Sequence, residues 1–265
     1  MLESELEKLH SERPEVVEEG VRALTAHLEE RPQAEFRAVV EALCALFYVD
    51  THDRPDLEPC LDVAVEGLAA AGVHVVPHLL DLMKGSDIKC HFYLARTLGR
   101  IGGPALPALR RFIATEQDPY GRSFALFALG KVRDPAAVEA FPEVVGSLMH
   151  PDREVRDSAA RTLGKLAEVV PPERLTQRHR AEAFEALFRT LGDVQPAVRA
   201  KAVRSLGKMT RAGYLTTEQE ERLTIAVRHI LGEDEAHEWD RAYVVRREAQ
   251  ETMRHLVARA AVRPR

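Results

Sequence analysis

The chain has 265 residues, 45% of them hydrophobic and 30% charged, with a formal net charge of −5, which permits a sizeable buried core and argues against disorder. The acidic start lacks the basic and apolar stretches of a signal peptide, and no apolar run approaches the roughly 20 residues of a membrane span. Cys44, Cys60 and Cys90 form neither a disulfide framework nor a CxxC metal clip, so we expect a cytoplasmic protein with no metal site and no cofactor.

Charge is unevenly placed, and the N-terminal third is acidic. Residues 1–85 contain 7 Lys+Arg and 18 Asp+Glu, whereas the rest of the chain has a positive balance. Positions 1–55 have only a helical rhythm, with helices predicted at about 14–30 and 34–49. We interpret them as a divergent acidic cap hairpin. The overall balance argues against strong nonspecific nucleic-acid binding, which needs a continuous basic footprint.

From residue 56 onward the sequence predicts helices in pairs. The predicted pairs are 56–71 with 73–84, 86–101 with 104–114, 118–133 with 136–149, 151–169 with 176–191, and 193–211 with 217–231. Leu-Gly dipeptides recur at 98–99, 129–130, 163–164 and 206–207, so the repeat is about 31 to 43 residues long.

Each repeat has a physical logic. An Asp precedes the first helix of the pair as a helix N-cap, and apolar residues at three- and four-residue steps then make one buried face. The glycine either permits close helix packing or ends the helix. Since one hairpin cannot bury its apolar face alone, several hairpins must stack.

The pattern has a family resemblance. Asp193-Val-Gln-Pro-Ala-Val-Arg199, continuing to Leu206-Gly207, resembles the HEAT repeat, in the bacterial subgroup also described as phycobilisome-lyase-type. The resemblance implies an all-α, right-handed α-α superhelix (a HEAT-like α-solenoid) of about six helical hairpins plus a C-terminal capping helix. We expect one solenoid over 1–265, with repeats at 56–231, a terminal helix at 232–258 and a frayed basic tail at 259–265.

The second helices carry the predicted partner-binding residues. Pro77, Pro107 and Pro142 open three of these helices in the same register. The positions that follow predict a polar stripe on the concave face, made of Asp81, Arg110, Arg111, Arg189, Arg228 and His229. Arg111 and Arg189 would grip an acidic group, since a guanidinium binds a carboxylate bidentately. The alternative is that these are ordinary solvated side chains.

A second set of residues is predicted to be structural. The resemblance implies that an Arg in each repeat reaches an Asp of its neighbour. This ladder consists of Asp118, Arg122, Asp152, Arg156, Asp193, Arg199 and Arg246. The phenylalanines at 112, 124, 127, 141, 184 and 188 fall at apolar positions and are predicted to be core. Trp239 either packs as a cap or, if exposed, marks a contact surface.

No residue is predicted to be catalytic, because the sequence has no phosphate-binding glycine loop and no nucleophile elbow. The leading hypothesis is a non-catalytic scaffold that binds a protein or peptide along its concave helical surface. Two alternatives stay open. One is a nucleic-acid-binding protein resembling the HEAT-like DNA glycosylases, and the other is a bilin lyase-like tetrapyrrole handler. Oligomeric state and partner identity are not predicted.

Overall fold

The computed structural model describes residues 2–30, 35–233 and 238–262, and over these residues the fold is all-α with no strand. The class predicted from the repeat pattern, a HEAT-like α-solenoid, is confirmed. The α-helices are α1 (Leu2–Lys8), α2 (Pro14–Glu30), α3 (Phe36–Ala45), α4 (Glu58–Ala70), α5 (Val76–Leu82), α6 (Ile88–Ile101), α7 (Leu106–Thr115), α8 (Pro119–Leu129), α9 (Phe141–Ser147), α10 (Arg153–Leu166), α11 (Gln177–Thr190), α12 (Pro196–Arg211), α13 (Thr217–Leu231) and α14 (Tyr243–Val262).

The chain divides into two compact units, and each is a stack of helices in two layers. In unit 1, Met1–Arg133, the first helices α2, α4, α6 and α8 pack in succession, and the second helices α3, α5 and α7 form the other layer. In unit 2, Asp134–Arg265, the first helices α10, α12 and α14 pack in succession, with α9, α11 and α13 as the second helices.

Local sequence signals set the starts of these helices. Asp87, Asp118 and Asp152 are the N-caps of α6, α8 and α10, and each side chain accepts a hydrogen bond from a first-turn backbone amide. Pro77, Pro107 and Pro142 stand in the first turn of α5, α7 and α9, where the missing amide hydrogen removes no intrahelical bond. The predicted common register of these helices is therefore present.

Three of the four recurring glycines, Gly99, Gly164 and Gly207, are points of close approach, whereas Gly130 is the C-cap of α8. A Cβ added at Gly164 would lie 2.4 Å from Ser205 Oγ, and one at Gly207 would lie 2.5 Å from Thr252 Oγ1. Ser205 Oγ donates to the Ala160 carbonyl oxygen at 2.7 Å, and Thr252 Oγ1 donates to that of Val203 at 3.0 Å. Both glycines lie inside their helices, so close packing rather than helix termination explains them.

The two ends differ from the prediction. The structure adds a short helix, α1, which packs on α2. The terminal helix begins at Tyr243 rather than 232 and extends to Val262, so positions 259–262 of the predicted tail are helical. Tyr243 begins the helix because the preceding residues make a turn in which Asp240 Oδ1 accepts a hydrogen bond from the Ala242 amide. Residues 263–265 lie outside the described residues.

Candidate binding surface on the second helices

The unit 1 residues of the predicted stripe lie on neighbouring second helices. Asp81 is the sixth residue of α5 and Arg111 the sixth of α7, and the two helices pack against each other. Both side chains are exposed, and Asp81 forms an ion pair with Lys84 at 3.3 Å. Arg110 is half-buried. This part of the stripe therefore offers one exposed guanidinium and one exposed carboxylate.

The unit 2 residues of the stripe lie on α11 and α13. Arg189 and Arg228 are exposed near the C-terminal ends of these helices, and His229 is half-buried. Ile225, one turn before Arg228 and His229, leaves 56% of its surface exposed. Arg111 and Arg189, the predicted pair, lie in different units. The stripe residues of unit 2 accordingly combine cations with an exposed apolar side chain.

A buttressed arginine, which the stripe did not include, joins the two helices. Arg222 of α13 contacts both carboxylate oxygens of Glu185 of α11, at 2.5 and 3.0 Å. Its guanidinium also lies over the Phe184 and Phe188 rings, 5.2 and 4.9 Å from their centroids. The hydrogen bond from Arg222 holds the pKa of Glu185 below its usual value against the opposing effect of burial, and the charge of Arg189 adds to this. Arg222 thus links α13 to α11 through both an ion pair and ring contacts.

A cavity lies beside this pair. It has a volume of about 310 Å³ and is lined by Gln177, Arg180, Ala181, Glu185, Tyr214, Thr216, Glu218, Gln219 and Arg222. Two of its lining residues, Thr216 and Gln219, form a reciprocal capping box at the start of α13. Among the described residues, the buried Nε of Arg180 has no hydrogen-bond partner. The cavity thus has two guanidinium groups and two carboxylates in its wall.

The predicted ladder residues lie at the seams between first helices. Arg156 of α10 contacts the two oxygens of Asp193 at 2.6 and 3.1 Å, and both side chains are largely buried. Arg199 of α12 contacts Asp240 in the same manner, at 2.7 and 2.9 Å. The sequence analysis missed Asp240. The signal was available, because six residues separate Asp193 from Arg199 and Asp240 from Arg246.

The other ladder residues have different surroundings. Asp118 and Asp152 serve as N-caps. The buried Nε of Arg122 has no hydrogen-bond partner among the described residues. Arg246 donates to the Asp240 carbonyl oxygen at 2.6 Å and stacks over Trp239, 4.2 Å from its ring centroid. Trp239 itself is 57% exposed. Exposure of this side chain was the predicted mark of a contact surface.

The prediction that the phenylalanines are core is correct for some and wrong for others. Phe112, Phe141 and Phe184 are buried. Phe124, Phe127 and Phe188 are only half-buried, because they lie at the edge of the apolar face where a neighbouring ring or cation covers one side. Apolar spacing does not distinguish the centre of a helix face from its edge.

The described residues hold no group of three His, Cys, Asp or Glu side chains placed to bind a metal ion. None of their helices taken singly is long and apolar enough to span a membrane. Pro55–Ala70 and Gly72–Leu82 reach that length and apolarity only as a pair, with a bend of 109° between them.

Comparison with known proteins supports the repeat assignment. Residues 112–178 match the family model described as HEAT repeats. No curated protein matches the sequence.

Several solved structures share the fold at low sequence identity. The complex of CpcE and CpcF of phycocyanin lyase from Nostoc sp. PCC7120 is 18% identical with a TM-score of 0.56, over 68% of this chain and 99% of that one. Kap121p bound to Nup53p is 12% identical with a TM-score of 0.63, over 96% of this chain and 29% of that one. A designed armadillo repeat protein in complex with the peptide (KR)4 is 14% identical with a TM-score of 0.54, over 93% and 100%.

At such identities the likeness concerns the fold, which is commonly a scaffold for protein interactions. The matched repeat, the paired helices in two layers and the glycine contacts between first helices agree with one another. On these grounds the chain has a HEAT-like α-solenoid fold, in which residues 112–178 match the HEAT repeat model.

Proposed function

We propose that the protein is a non-catalytic scaffold that binds a segment of a partner protein on the second helices of unit 2. The observation that carries the proposal is the pair Arg222–Glu185, fixed over Phe188 beside the cavity and next to exposed Ile225. A guanidinium held by a carboxylate and an aromatic ring loses little conformational freedom on binding, which favours affinity.

The chemistry of this surface indicates the kind of segment. Arg189, Arg222 and Arg228 outnumber the two carboxylates beside them, Glu185 and Glu218, so the partner segment should bring acidic groups. Ile225 and the half-buried Phe188 give it an apolar contact. We therefore propose a segment that pairs an apolar side chain with carboxylates, and partner binding rather than turnover as the activity.

The test is affinity capture from the source cell with mass-spectrometric identification, comparing the natural chain with Arg189→Glu plus Ile225→Glu. Both positions are exposed, so the melting temperature should stay within a few degrees. Partners bound here should be lost. The matched control is Arg254→Glu plus Val257→Glu, two exposed positions on the first helix α14 that do not line the cavity, and it should keep them.

An unchanged set of captured proteins with the first variant would rule out this surface. Arg111→Glu, made separately, asks whether unit 1 contributes to the same binding. The alternatives have their own readouts. Salt-dependent binding of a labelled DNA duplex would indicate a nucleic-acid protein, and a spectral change on adding a bilin would indicate a tetrapyrrole handler.

The three described cysteines are free and buried. This fits a reducing compartment and supports our proposal of a cytoplasmic location. Localisation of a fluorescently tagged chain in the source cell tests it.

A further inference from the structure

Helix α12 is basic throughout. Its sixteen residues include five Lys or Arg and no Asp or Glu. Arg199 is used at the seam with Asp240. The other four, Lys201, Arg204, Lys208 and Arg211, follow steps of three and four residues and so share one side of the helix. We call these four residues the α12 basic face, and they extend over about 15 Å.

Carboxylates on the flanking helices are too few to balance this face. Glu168 forms ion pairs with three cations: Lys165 at 3.3 Å, Lys208 at 3.1 Å and Arg211 at 3.1 Å. Glu248 of α14 takes two: Arg204 at 2.5 Å and Arg247 at 3.1 Å. Asp157 of α10 is a third carboxylate, near Lys201, Arg161 and Arg204. Three carboxylates therefore lie among seven cations, which leaves a positive surplus between α10 and α14.

Burial first, and neighbouring cations second, lower the pKa values of the two lysines of the face. Burial, together with the charges of Arg161 and Arg204, lowers the pKa of Lys201 despite the attraction of Asp157. Burial and the nearby Lys165 lower the pKa of Lys208 even though Glu168 opposes the shift. A further negative charge at this surface would relieve the repulsion among these cations.

A purely structural role accounts for only part of the face. Cations in the last turn of a helix stabilise its dipole, and this explains Lys208 and Arg211 near the end of α12. Lys201 and Arg204 lie in the middle of the helix, where the dipole effect has faded. Arg204 is 42% exposed and Arg211 is 56% exposed, so an approaching anion can reach both.

We propose that the α12 basic face is a second contact surface, which binds an acidic segment of a protein. A nucleic-acid backbone fits it less well, because phosphates follow one another continuously and would meet Glu168 and Glu248 on either side. The carboxylates of a peptide are separated by other side chains, so they can contact the cations without lying beside Glu168 or Glu248. The face lies on the first helices, so it stands independently of the surface on α11 and α13.

The experiment measures binding of a fluorescein-labelled twelve-residue polyglutamate peptide to the full chain by anisotropy, at 50 and 150 mM salt. The test variant is Lys201→Gln plus Arg211→Gln. The matched control is Arg174→Gln plus Arg178→Gln, which removes the same charge from two exposed positions elsewhere in unit 2. We expect the test variant to weaken binding at least tenfold and the control less than twofold.

Three outcomes would overturn the proposal: no peptide binding at 50 mM salt, equal weakening by both double variants, or a labelled DNA duplex bound more tightly than the peptide. Circular dichroism checks that each variant is folded. If Lys201→Gln plus Arg211→Gln does not fold, Arg211→Gln alone replaces it, with Arg178→Gln as its control. A threefold loss for Arg211→Gln with no change for Arg178→Gln then supports the proposal, and equal affinities overturn it.

Discussion

Two repeats, one in each unit, place different side chains eight residues before the glycine of their Leu-Gly pair: His91 before Gly99 and Arg156 before Gly164. The other two repeats have Arg122 and Arg199 at this position. In unit 1, His91 is fully buried, and its Nε2 donates to the Met83 carbonyl oxygen at 2.8 Å. In unit 2, Arg156 donates to the carbonyl oxygens of His150 and Pro151 at 2.9 and 2.8 Å. Both satisfy carbonyls in the turn before a first helix. In these two repeats, therefore, either residue type supplies the hydrogen-bond donor to the turn.

The contact made to the neighbouring helix differs between the units. The His91 ring stacks on Phe124 of the next first helix at 4.2 Å and meets the edge of the Tyr120 ring at 5.1 Å. Arg156 instead contacts Asp193, which precedes the next first helix. One seam is thus aromatic and the other ionic, while the donor to the turn is common to both. Four changes test this comparison, from the largest expected effect to the smallest.

Replacing Asp193 by Ala should break the ionic seam. Asp193 leaves only 9% of its side chain exposed and Arg156 only 15%, so the arginine would keep a nearly buried charge without its partner. We expect the free energy of unfolding to fall by about 3 kcal/mol in urea titrations at neutral pH. Glu182→Ala removes the exposed pair with Arg178 and should cost less than about 0.5 kcal/mol. Similar losses for both variants would contradict a special role for the seam.

Replacing Gly164 by Ala should disturb a feature that both units share. The new methyl would lie 2.4 Å from Ser205 Oγ and 3.0 Å from Ser205 Cα, so α10 and α12 must move apart. We expect a loss of about 2 kcal/mol in the same titrations.

The matched control is Gly146→Ala in α9, where a Cβ meets nothing within 4 Å. It should gain up to about 1 kcal/mol from helix propensity. In unit 1, Gly99→Ala should resemble Gly164→Ala, because its Cβ would lie 2.5 Å from Lys131 Cβ. A gain in stability for Gly164→Ala would show that α10 and α12 are not closely packed at the Gly164–Ser205 contact.

Replacing His91 by Phe should separate the two contributions of this residue, its ring stacking and its hydrogen bond to the Met83 carbonyl oxygen. The ring contacts with Phe124 and Tyr120 would remain, whereas the Met83 carbonyl oxygen would lose its donor. We expect thermal and urea unfolding to report a loss of about 1 kcal/mol. Phe92→Leu, at a half-exposed ring of the same helix, is the control and should change stability less. No loss in His91→Phe would mean that stacking alone holds this seam.

Acid should weaken the ionic seam. Burial would raise the pKa of Asp193 and of Asp240, but hydrogen bonds from Arg156 and Arg199 hold both below their usual value. Their stabilisation is therefore complete above the unfolded pKa of about 3.9 and is lost as the pH falls through the folded values. The stability difference between the natural chain and Asp193→Asn should narrow between pH 6 and pH 3. A difference that does not change with pH would show that the carboxylate charge of Asp193 is not responsible.

The sequence predicted the fold well because the repeat carries several independent signals. Capping Asp residues, first-turn prolines and the Leu-Gly pairs each mark the same helices, and agreement among them fixes the hairpins. The start of α14 at Tyr243 was missed, because the prediction began the helix at 232 and did not use Asp240, whose Oδ1 accepts a hydrogen bond from the Ala242 amide in the turn before the helix.

The candidate site was less predictable, since it depends on contacts between side chains far apart in sequence. Arg189 and Arg228 were found because they recur at equivalent positions. Arg222 was missed because only the distance to Glu185, 37 residues away in sequence, reveals its role. The excess of positive charge on α12 was missed for a similar reason. It depends on how few carboxylates lie near the helix in the folded structure.

Tyr214 shows where one repeat ends and the next begins. It lies after α12 and is almost completely buried, and its hydroxyl donates to the Val170 carbonyl oxygen at 2.6 Å in the long connection between α10 and α11. That connection is thus clamped by a residue from the following repeat. A shortened chain that stops at Arg211 would still contain the connection between α10 and α11 but would lack the tyrosine that holds it. Modules exchanged between proteins of this kind should therefore be cut after Tyr214 rather than at the end of α12.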